Sequence, residues 1–351
     1  MTNSRKYNSF LLIAGLAMSL FLATISAAGQ TRLRGTMVTP DYLKASDLTT
    51  LGQWKANLIR WQLVTGNPEV TNPDFYRQWL ELKLNHLDQM LPICQANGLR
   101  VVIDMHTPPG GAVKENNRIE HRIFRESVHR REIIASWEKI AQRYKNNPIV
   151  WGYDLVNEPH FRDVRKWQSL AQELATKIRA IDRSHRIIVE SRYGHPNHID
   201  ESRPLSNIGN VVYSVHMYVP MQFTHQGIYG FPFGVNYPRK IAGINFNRAE
   251  LERQLRPVVD FQRRHRVPIY IGEFSAARWA PNNSSYDYLR DLIGIFEDNG
   301  WDWTYHAFGD ALIWNVEYCP VPRAKDPTEL QPCPTPSSSK LLLQRAFARN
   351  R

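Results

Sequence analysis

The sequence predicts an α/β protein that folds as a single (β/α)8 TIM barrel, and three observations favour this class. After residue 30, short apolar runs alternate with amphipathic stretches, which is typical of βαβ units and a parallel sheet. There are eight such runs, whereas a doubly wound sheet more often has about five or six strands, and no GxGxxG follows the first run. No linker, low-complexity tract or repeat interrupts the pattern, so residues 29–351 are expected to form one domain.

The eight apolar runs predict the barrel strands in chain order. They lie at residues 33–38, 56–61, 99–105, 150–155, 186–190, 211–217, 269–272 and 303–307. Between them, apolar residues three and four positions apart predict helices, as at Leu251, Leu255 and Val258 before the seventh strand. Gly98 and Gly300, each preceded by asparagine, are expected to end the helices before the third and eighth strands.

The first 28 residues have the composition of a signal peptide. Arg5 and Lys6 precede an almost wholly apolar run at residues 10–25, and Ser26-Ala27-Ala28 offers small residues for cleavage. The run is shorter than the roughly 20 residues that a membrane span needs. We therefore expect a secreted or periplasmic protein without stable membrane insertion after cleavage, and an uncleaved anchor is the alternative.

The charge of the chain is basic, but it does not indicate a nucleic-acid partner. Lys and Arg number 44 against 33 Asp and Glu, which gives a formal charge of +11, and loss of residues 1–28 would remove two cations and no acid. A nucleic-acid interface needs a basic stripe with stacking aromatics or a known motif, and the sequence has neither. The basic cluster at residues 263–266 is expected to end a helix, where cations suit the helix dipole. We expect a monomer.

Three cysteines allow at most one disulfide within the chain. Cys319 and Cys333 are the natural pair, because they bracket a proline-rich stretch without helical or strand periodicity. Cys94 lies in the apolar pattern of a helix and is expected to be buried and inert. No spacing resembles a CxxC metal or redox site.

Two glutamates follow apolar strands and point to one cleft. The fourth strand leads into Asn157-Glu158-Pro159, and the seventh leads into Gly272-Glu273. In a (β/α)8 barrel the chemistry gathers at the carboxyl ends of the strands. Paired carboxylates in a cleft suit glycoside hydrolysis, because one protonates the leaving oxygen and the other meets the developing oxocarbenium ion.

The segments around these glutamates resemble a known family. WGYDLVNEPH at residues 151–160 and PIYIGEFS at residues 268–275 are similar to the acid/base and nucleophile segments of glycoside hydrolase family 5, the cellulase family of clan A. The resemblance covers roughly residues 33–316. It implies a retaining mechanism without a cofactor, with Glu158 as the general acid/base and Glu273 as the nucleophile.

Further positions match the family motifs in the right order. The resemblance implies that Arg60, in NLIRW, hydrogen-bonds near the nucleophile, and it also covers His106 in VVIDMH and His216 and Tyr218 in SVHMY. Asn157 is suited to hydrogen-bond a sugar 2-hydroxyl. Tyr218 is expected to orient Glu273, His216 to line the acid side, and His106 to bind a sugar hydroxyl.

Aromatic side chains near the mouth are expected to be sugar platforms. Trp279, after Glu273, is the strongest candidate. Other candidates are Trp61, Trp303, Trp314, Phe223, Tyr229, Phe231, Phe233 and Tyr237. The sequence departs from the family after the eighth strand, where His306 stands in the place of the usual tryptophan.

The loop after the third strand carries several cations on the catalytic face. They are Lys114, Arg118, His121, Arg122 and Arg125. We expect them to pair with Glu115, Glu120 and Glu126, and a subsite for an anionic glycan is the alternative.

We therefore expect a retaining glycoside hydrolase of β-linked polysaccharide or oligosaccharide, and specifically an endo-β-1,4-glucanase. Other family 5 specificities stay open, namely a β-mannanase, a β-1,3-glucanase or a glycosidase for an anionic glycan. A non-catalytic glycan-binding barrel and a metal-dependent hydrolase are rivals from other classes. A metal is not expected, because the first strand, LRGTMVTP, lacks the His-x-His of two-metal barrels.

Overall fold

The computed structural model describes residues 32–201, 203–309, 312–319 and 332–350. The predicted signal peptide at residues 1–28 lies outside these residues. Within the described part of the chain, eight parallel strands close into a barrel, each paired with the next and the eighth with the first. The predicted (β/α)8 architecture is confirmed.

The strands lie where the apolar runs predict them, with bounds that differ by two residues at most. They are Arg34–Val38, Leu58–Gln62, Arg100–Asp104, Val150–Asp154, Arg186–Glu190, Val211–Met217, Ile269–Phe274 and Asp302–Phe308. Apolar runs are continuous here because a parallel barrel strand is covered on both faces, by the barrel interior and by the outer helices.

Apolar side chains fill the amino half of the barrel interior. Seven strand or strand-flanking residues form this layer: Leu33, Leu58, Val102, Trp151, Ile188, Val212 and Tyr270. A second, larger apolar cluster packs the outer strand faces against the helices. Because this layer closes the lower barrel, polar groups that meet solvent are gathered at the carboxyl end of the strands.

Eight helices occur within the described residues. They are α1 Ala45–Gln53, α2 Pro73–Ala96, α3 Ser127–Tyr144, α4 Val164–Ile181, α5 Met221–Thr224, α6 Arg248–His265, α7 Ser284–Asn299 and α8 Ser338–Phe347. The side chains of Asn72 and Asn247 cap α2 and α6, and Gly300 ends α7 with a φ of 79°. The basic cluster falls in the last turn of α6, as predicted. None of the described helices has both the length and the apolar character needed to cross a membrane.

The crossover between the fifth and sixth strands lacks an α-helix in its described residues. It holds two short 3-10 segments, Arg192–Gly194 and Pro196–Glu201, and the second packs against α6. Gly194 and Pro196 interrupt any longer helix in this stretch. The loop therefore passes close to the catalytic end of the barrel.

Two β-hairpins extend the loops at the catalytic end. Ala112–Glu115 pairs with Arg118–His121 after the third strand, and Arg239–Ile241 pairs with Ile244–Phe246 after the sixth. The second hairpin and α5 lie within the long sixth loop, for which the sequence analysis predicted no elements.

The cysteine predictions are confirmed. Cys319 and Cys333 form a disulfide, and the residues that it encloses, 320–331, lie outside the described part of the chain. Cys94 is buried and free. Burial raises the pKa of its thiol to about 12, so it is unreactive as a nucleophile.

Candidate active site

The two predicted carboxylates lie together at the carboxyl end of the barrel. Glu273 belongs to the seventh strand, and Glu158 follows the end of the fourth strand. A carboxylate oxygen of each lies within 4.8 Å of one from the other. The side chain of Glu273 is 6% exposed and that of Glu158 is 32% exposed. The two carboxylates are thus neighbours in different environments.

Arg60, at the carboxyl half of the second strand, is fully buried and binds the carboxylates beneath the cleft. Its Nη1 donates to Glu273 Oε1 and its Nη2 donates to Glu190 Oε1, both at 2.8 Å. Its Nε donates to Asp154 Oδ2 at 3.0 Å, and its Nη2 lies 3.0 Å from Asp104 Oδ1. The planar guanidinium can serve several acceptors at once, which a lysine ammonium cannot do in this geometry.

The sequence analysis did not single out Asp104, Asp154 or Glu190. Each is the last residue of an apolar strand and is fully buried. Burial and the charge of Glu190 raise the pKa of Asp154 well above its usual range. Although burial opposes it, the charges of His216 and Arg60 lower the pKa of Glu190. The surroundings therefore favour the neutral form of Asp154 and the ionised form of Glu190.

Glu273 is surrounded by donors. Tyr218 Oη donates to its Oε2 at 2.9 Å, and His306 Nδ1 lies 3.2 Å from the same oxygen. Burial opposes ionisation, but the neighbouring His216, His306 and Arg60 hold the pKa of Glu273 well below its usual range. Glu273 is therefore an ionised carboxylate at neutral pH, as a nucleophile needs to be.

Glu158 is held through both its backbone and its side chain. Its φ is 41°, a left-handed conformation that a non-glycine residue adopts only when its surroundings fix it. Its backbone N–H donates to Glu190 Oε2 at 2.8 Å. Its Oε1 pairs with His216 Nδ1 at 2.9 Å. One face of the carboxyl group is thereby fixed, and its exposure leaves the group open to the cleft.

His216 lies between Glu158, the expected acid/base, and the buried carboxylates of Glu190 and Glu273. Its Nε2 lies 3.1 Å from Glu190 Oε1 and its Nδ1 lies 3.6 Å from Glu273 Oε2. Burial opposes the positive charge, but the carboxylates of Glu190 and Glu273 raise the pKa of His216 well above its usual range. These carboxylates therefore favour the protonated form of His216, which donates from both nitrogens.

Asn157 and His106 also lie at this end of the barrel. Asn157 Oδ1 accepts from Arg60 at 3.0 Å, which fixes the orientation of the amide. His106 Nδ1 pairs with Asp104 Oδ2 at 2.8 Å, and the side chain is 21% exposed. Burial opposes it, but Asp104 raises the pKa of His106. A partly exposed donor of this kind suits a hydroxyl ligand.

His306 occupies the position after the eighth strand as the sequence predicts. Its Nδ1 lies 2.7 Å from Tyr218 Oη. The ring of Trp314 stacks on Tyr218 at 5.1 Å between centroids and lies 4.8 Å from the ring of His306. Trp314 is buried, and its Nε1 donates to Thr224 O at 2.9 Å. Trp314 supports the pair Tyr218 and His306 from behind.

Trp279 packs into a small apolar cluster beside the sixth loop. Its Nε1 donates to Gln226 O at 2.9 Å, and its ring lies 6.2 Å from that of Phe233. Four other platform candidates are buried in the main core, namely Trp61, Trp303, Phe223 and Tyr237. They are therefore not sugar platforms, because a stacking surface has to be exposed.

Two of the five basic residues of the third loop, Arg122 and Arg125, form ion pairs within the protein. Arg125 binds Glu115 at 3.0 Å, and Arg122 binds Glu126 at 2.6 Å. Glu120 is paired with Arg162, which lies outside the hairpin. The expectation that the acids of this loop neutralise cations is confirmed for Arg122 and Arg125.

One group of three side chains in the described residues has donor atoms close enough to hold a metal ion. These are Glu158, His216 and Glu273, with ligand atoms within 4.8 Å of one another. Each takes part in the hydrogen bonds given above, and His216 carries a proton on each nitrogen. The hydrogen-bond network thus accounts for their proximity.

A (β/α)8 barrel with two neighbouring glutamates at its carboxyl end has the arrangement expected of a glycoside hydrolase with paired carboxylates. The family model "Cellulase (glycosyl hydrolase family 5)" matches residues 24–311. The chain therefore belongs to glycoside hydrolase family 5, and it is a glycoside hydrolase.

Relatives and solved structures agree with this assignment. The chain is 25% identical over 311 residues to Endoglucanase C of Acetivibrio thermocellus, with 80% of this chain and 88% of that protein covered. It is 23% identical over 268 residues to Cellodextrinase A of Ruminococcus flavefaciens, with 74% and 76% covered. The crystal structure of Thermotoga maritima Cel5A with mannotriose has a TM-score of 0.65 at 21% identity, with 82% and 92% covered. The structural similarity supports the fold.

Proposed function

We propose that the protein is an exported, retaining endo-β-1,4-glucanase with Glu158 as the general acid/base and Glu273 as the nucleophile. The observation that carries this proposal is the approach of the two carboxylates within 4.8 Å. Retaining glycosidases have carboxyl groups about 5–5.5 Å apart, whereas inverting enzymes leave about 6.5–9.5 Å for a water molecule. The contrasting environments of the two groups support the separate roles.

In the first step, Glu273 attacks the anomeric carbon of the sugar. A bond forms between its carboxylate oxygen and that carbon while the glycosidic carbon–oxygen bond breaks, and Glu158 gives its proton to the leaving oxygen. Arg60 and Tyr218 keep the Glu273 carboxylate ionised and oriented for attack. Asn157, fixed by Arg60, is placed to bind the sugar 2-hydroxyl, an interaction that strengthens in the transition state.

In the second step, water attacks the glycosyl-enzyme. Glu158, now a carboxylate, takes a proton from the water as its oxygen bonds to the anomeric carbon, and the bond to Glu273 breaks. Arg60 and Tyr218 receive the returning charge on Glu273. Each step inverts the anomeric carbon, so the product keeps the β configuration.

The substrate proposal is a β-1,4-glucan, in keeping with the relatives named Endoglucanase C and Cellodextrinase A. His106 and His306 are proposed to contact sugar hydroxyls, and Trp279 stays a candidate platform. Thermotoga maritima Cel5A was crystallised with mannotriose, so a β-mannan belongs among the substrates tested. No cofactor is proposed.

A panel of purified polysaccharides with analysis of the reducing-end products tests the specificity. It includes carboxymethyl cellulose, β-mannan, β-1,3-glucan, xylan and a uronic-acid polymer. We expect the fastest cleavage on the β-1,4-glucan, with internal cuts giving mixed oligosaccharides. Preference for another polymer would reject the glucanase specificity, and absence of any turnover would favour a glycan-binding barrel.

Two variants test the roles of the glutamates on an aryl glycoside with a very acidic phenol. Glu158→Ala should form the glycosyl-enzyme in a burst and then break it down slowly, and azide should restore turnover as a β-glycosyl azide. Glu273→Ala should lose several orders of magnitude on every substrate. The roles would be wrong if Glu273→Ala alone gave the burst.

The proposed signal peptide at residues 1–28 implies export. Amino-terminal sequencing of the protein from the medium or periplasm tests this proposal, with a new terminus expected near residue 29. A protein that keeps residues 1–28 in the membrane fraction would be anchored instead. Gel filtration with light scattering tests the proposed monomer.

A further inference from the structure

Glu190, at the end of the fifth strand, has a role in the site that the two chemical steps do not assign to it. It is 1% exposed, and its carboxylate accepts from three groups. These are Arg60 Nη2 at 2.8 Å, His216 Nε2 at 3.1 Å and the backbone N–H of Glu158 at 2.8 Å. A buried carboxylate costs free energy unless it is paired, and all of these pairings lead to the reaction centre.

The bond to the Glu158 backbone fixes a strained residue. Glu158 has a φ of 41°, which costs energy for a residue with a Cβ and persists only where surrounding contacts determine it. Glu190 Oε2 accepts the N–H of that same residue. The bond therefore opposes relaxation of the turn, which would move the Glu158 carboxyl group away from the leaving oxygen.

The bond to His216 controls which oxygen of Glu158 carries the proton. His216 donates from Nε2 to Glu190 Oε1 and from Nδ1 to Glu158 Oε1. While His216 donates, Glu158 Oε1 is an acceptor, and the acid proton sits on Oε2. If His216 lost its proton, Nδ1 would become able to accept the acid proton, and that proton would turn away from the substrate.

We propose that Glu190 is the positioning residue of the acid/base: it holds the backbone of Glu158 and keeps His216 a donor to the Glu158 carboxyl group. The proposal rests on the role assigned to Glu158 above. Glu190 acts through Glu158 and His216 and does not touch the reacting atoms.

Other charged or titratable groups near His216 also affect its protonation, and their effects have to be separated from that of Glu190. The groups that face His216, directly or through one neighbour, are Glu158, Glu190, Glu273, Arg60, Asp154 and His306. Of the two carboxylates whose charges support its proton, Glu190 is the closer to a ring nitrogen. A change at Glu190 therefore acts on His216 while Glu273 is left intact.

Glu190→Gln tests the proposal, because the amide has the shape of the carboxyl group but no charge. We expect the loss to depend on the leaving group. Hydrolysis of an unactivated oligosaccharide should fall by about 10–100-fold, part of the 10²–10⁴-fold that acid–base catalysis provides. Formation of the glycosyl-enzyme from an aryl glycoside with a very acidic phenol should change less than about threefold, since that step needs no proton. Azide should accelerate breakdown of the intermediate.

The pH dependence of kcat/KM separates the contact of Glu190 with His216 from its contact with the backbone of Glu158. In Glu190→Gln, the alkaline limb of kcat/KM on the oligosaccharide should move to lower pH, because His216 loses its proton more readily. Glu190→Asp keeps the charge but shortens the side chain, so it should show the leaving-group dependence with a smaller shift of this limb. It also serves as the second variant if Glu190→Gln does not fold.

Glu297→Gln is a matched control. Glu297 accepts from Arg34 at 2.7 Å and from Trp303 at 3.1 Å, at the opposite end of the barrel. It should lower thermal stability without changing the leaving-group dependence or the pH profile.

Equal losses on activated and unactivated substrates in the Glu190 variants, with an unchanged pH profile, would overturn the proposal. Such a result would mean that Glu190 acts on Glu273 through Arg60, or only on the fold. Failure of the proposed function is distinguishable, because it would appear in the unmodified enzyme and in Glu158→Ala, which would then lack turnover or azide rescue.

Discussion

Arg60 offers a stringent test of the buried network, through the change Arg60→Lys. The guanidinium uses three nitrogens to bind Glu273, Glu190 and Asp154. A lysine keeps the charge and has three N–H donors, but its single nitrogen can occupy only one of the three guanidinium nitrogen positions. We therefore expect two of these charge-assisted hydrogen bonds to be lost. Each contributes about 1.5–3 kcal/mol, so the free energy of unfolding should fall by about 3–6 kcal/mol. At about 2 °C per kcal/mol for a domain of this size, Tm should fall by about 6–12 °C.

The same change should also reduce catalysis. Loss of the Nη1 bond to Glu273 removes about 1.5–3 kcal/mol from the site, which corresponds to about a 10–150-fold lower kcat/KM if the bond is stronger in the transition state. Calorimetry and steady-state kinetics on an oligosaccharide measure the two effects. Arg34→Lys is the control, because Arg34 binds Glu297 and Asn350 away from the cleft and should affect Tm alone. An Arg60→Lys enzyme with Tm within about 2 °C and kcat/KM within about threefold of the unmodified protein would refute the reasoning.

Three further predictions follow from the site and its surroundings. Because the pKa of Glu273 is lowered in the folded protein, its ionised form stabilises the fold above the ordinary glutamate pKa of about 4.3. This contribution to stability is lost as the pH falls through the lowered pKa. For the same reason, the acid limb of kcat/KM on an activated substrate should lie below about pH 4.3. An acid limb above that pH would contradict the prediction. Reduction of the Cys319–Cys333 disulfide should lower the free energy of unfolding by about 3 kcal/mol or less and leave the activity unchanged. Tm and kcat measured with and without reductant test this. Loss of activity at an unchanged Tm would contradict it. In Gly194→Ala the new Cβ would lie 2.8 Å from the His216 ring, at a residue whose φ is 64°. We expect kcat to fall, whereas an activated substrate should still label Glu273. An unchanged kcat would show that the loop moves to accommodate the Cβ without displacing His216.

The barrel could be predicted from the sequence because each strand is buried on both faces. The eight runs are continuous and apolar, and their ends are marked by residues such as Gly300 or by the polar residues of the site. No α-helix occurs in the described residues between the fifth and sixth strands, and this was not predicted. Gly194 and Pro196 disfavour a helix in this stretch, but the apolar runs that predict strands do not by themselves show whether the connection between them is helical.

The position of Glu158 and Glu273 at the carboxyl end of the barrel could be predicted, because each is close to a strand end and lies within a segment that resembles a family motif. Their catalytic roles stay predictions. Asp104, Asp154 and Glu190 end their strands in the same way, but no site role was predicted for them, although Asp104 and Asp154 lie within the matched segments VVIDMH and WGYDLVNEPH. Glu190 lies in neither segment, and an acid at one strand end is common. What makes them part of the site is their convergence on Arg60 from three different strands. Such convergence depends on the register of the closed barrel, which the sequence pattern does not specify. A systematic comparison of acids at strand ends could have found them.

The distance of each glutamate from its strand is a physical reason for the different roles proposed for the two neighbouring carboxylates. Glu273 lies within the seventh strand, so its side chain reaches the buried layer in which Arg60 lies. There His216, His306 and Arg60 favour its ionised form, and Tyr218 donates a hydrogen bond to it. Glu158 lies four residues beyond the last residue of its strand, above this layer, and its side chain is 32% exposed. The Glu273 carboxylate cannot readily exchange a proton with substrate or water, because hydrogen-bond donors of the protein already surround it. The Glu158 carboxyl group pairs with His216 on one side, and its other side is open towards the leaving oxygen and water. Position along the strand therefore supports the proposed roles, with the nucleophile on the seventh strand and the acid/base in the loop after the fourth.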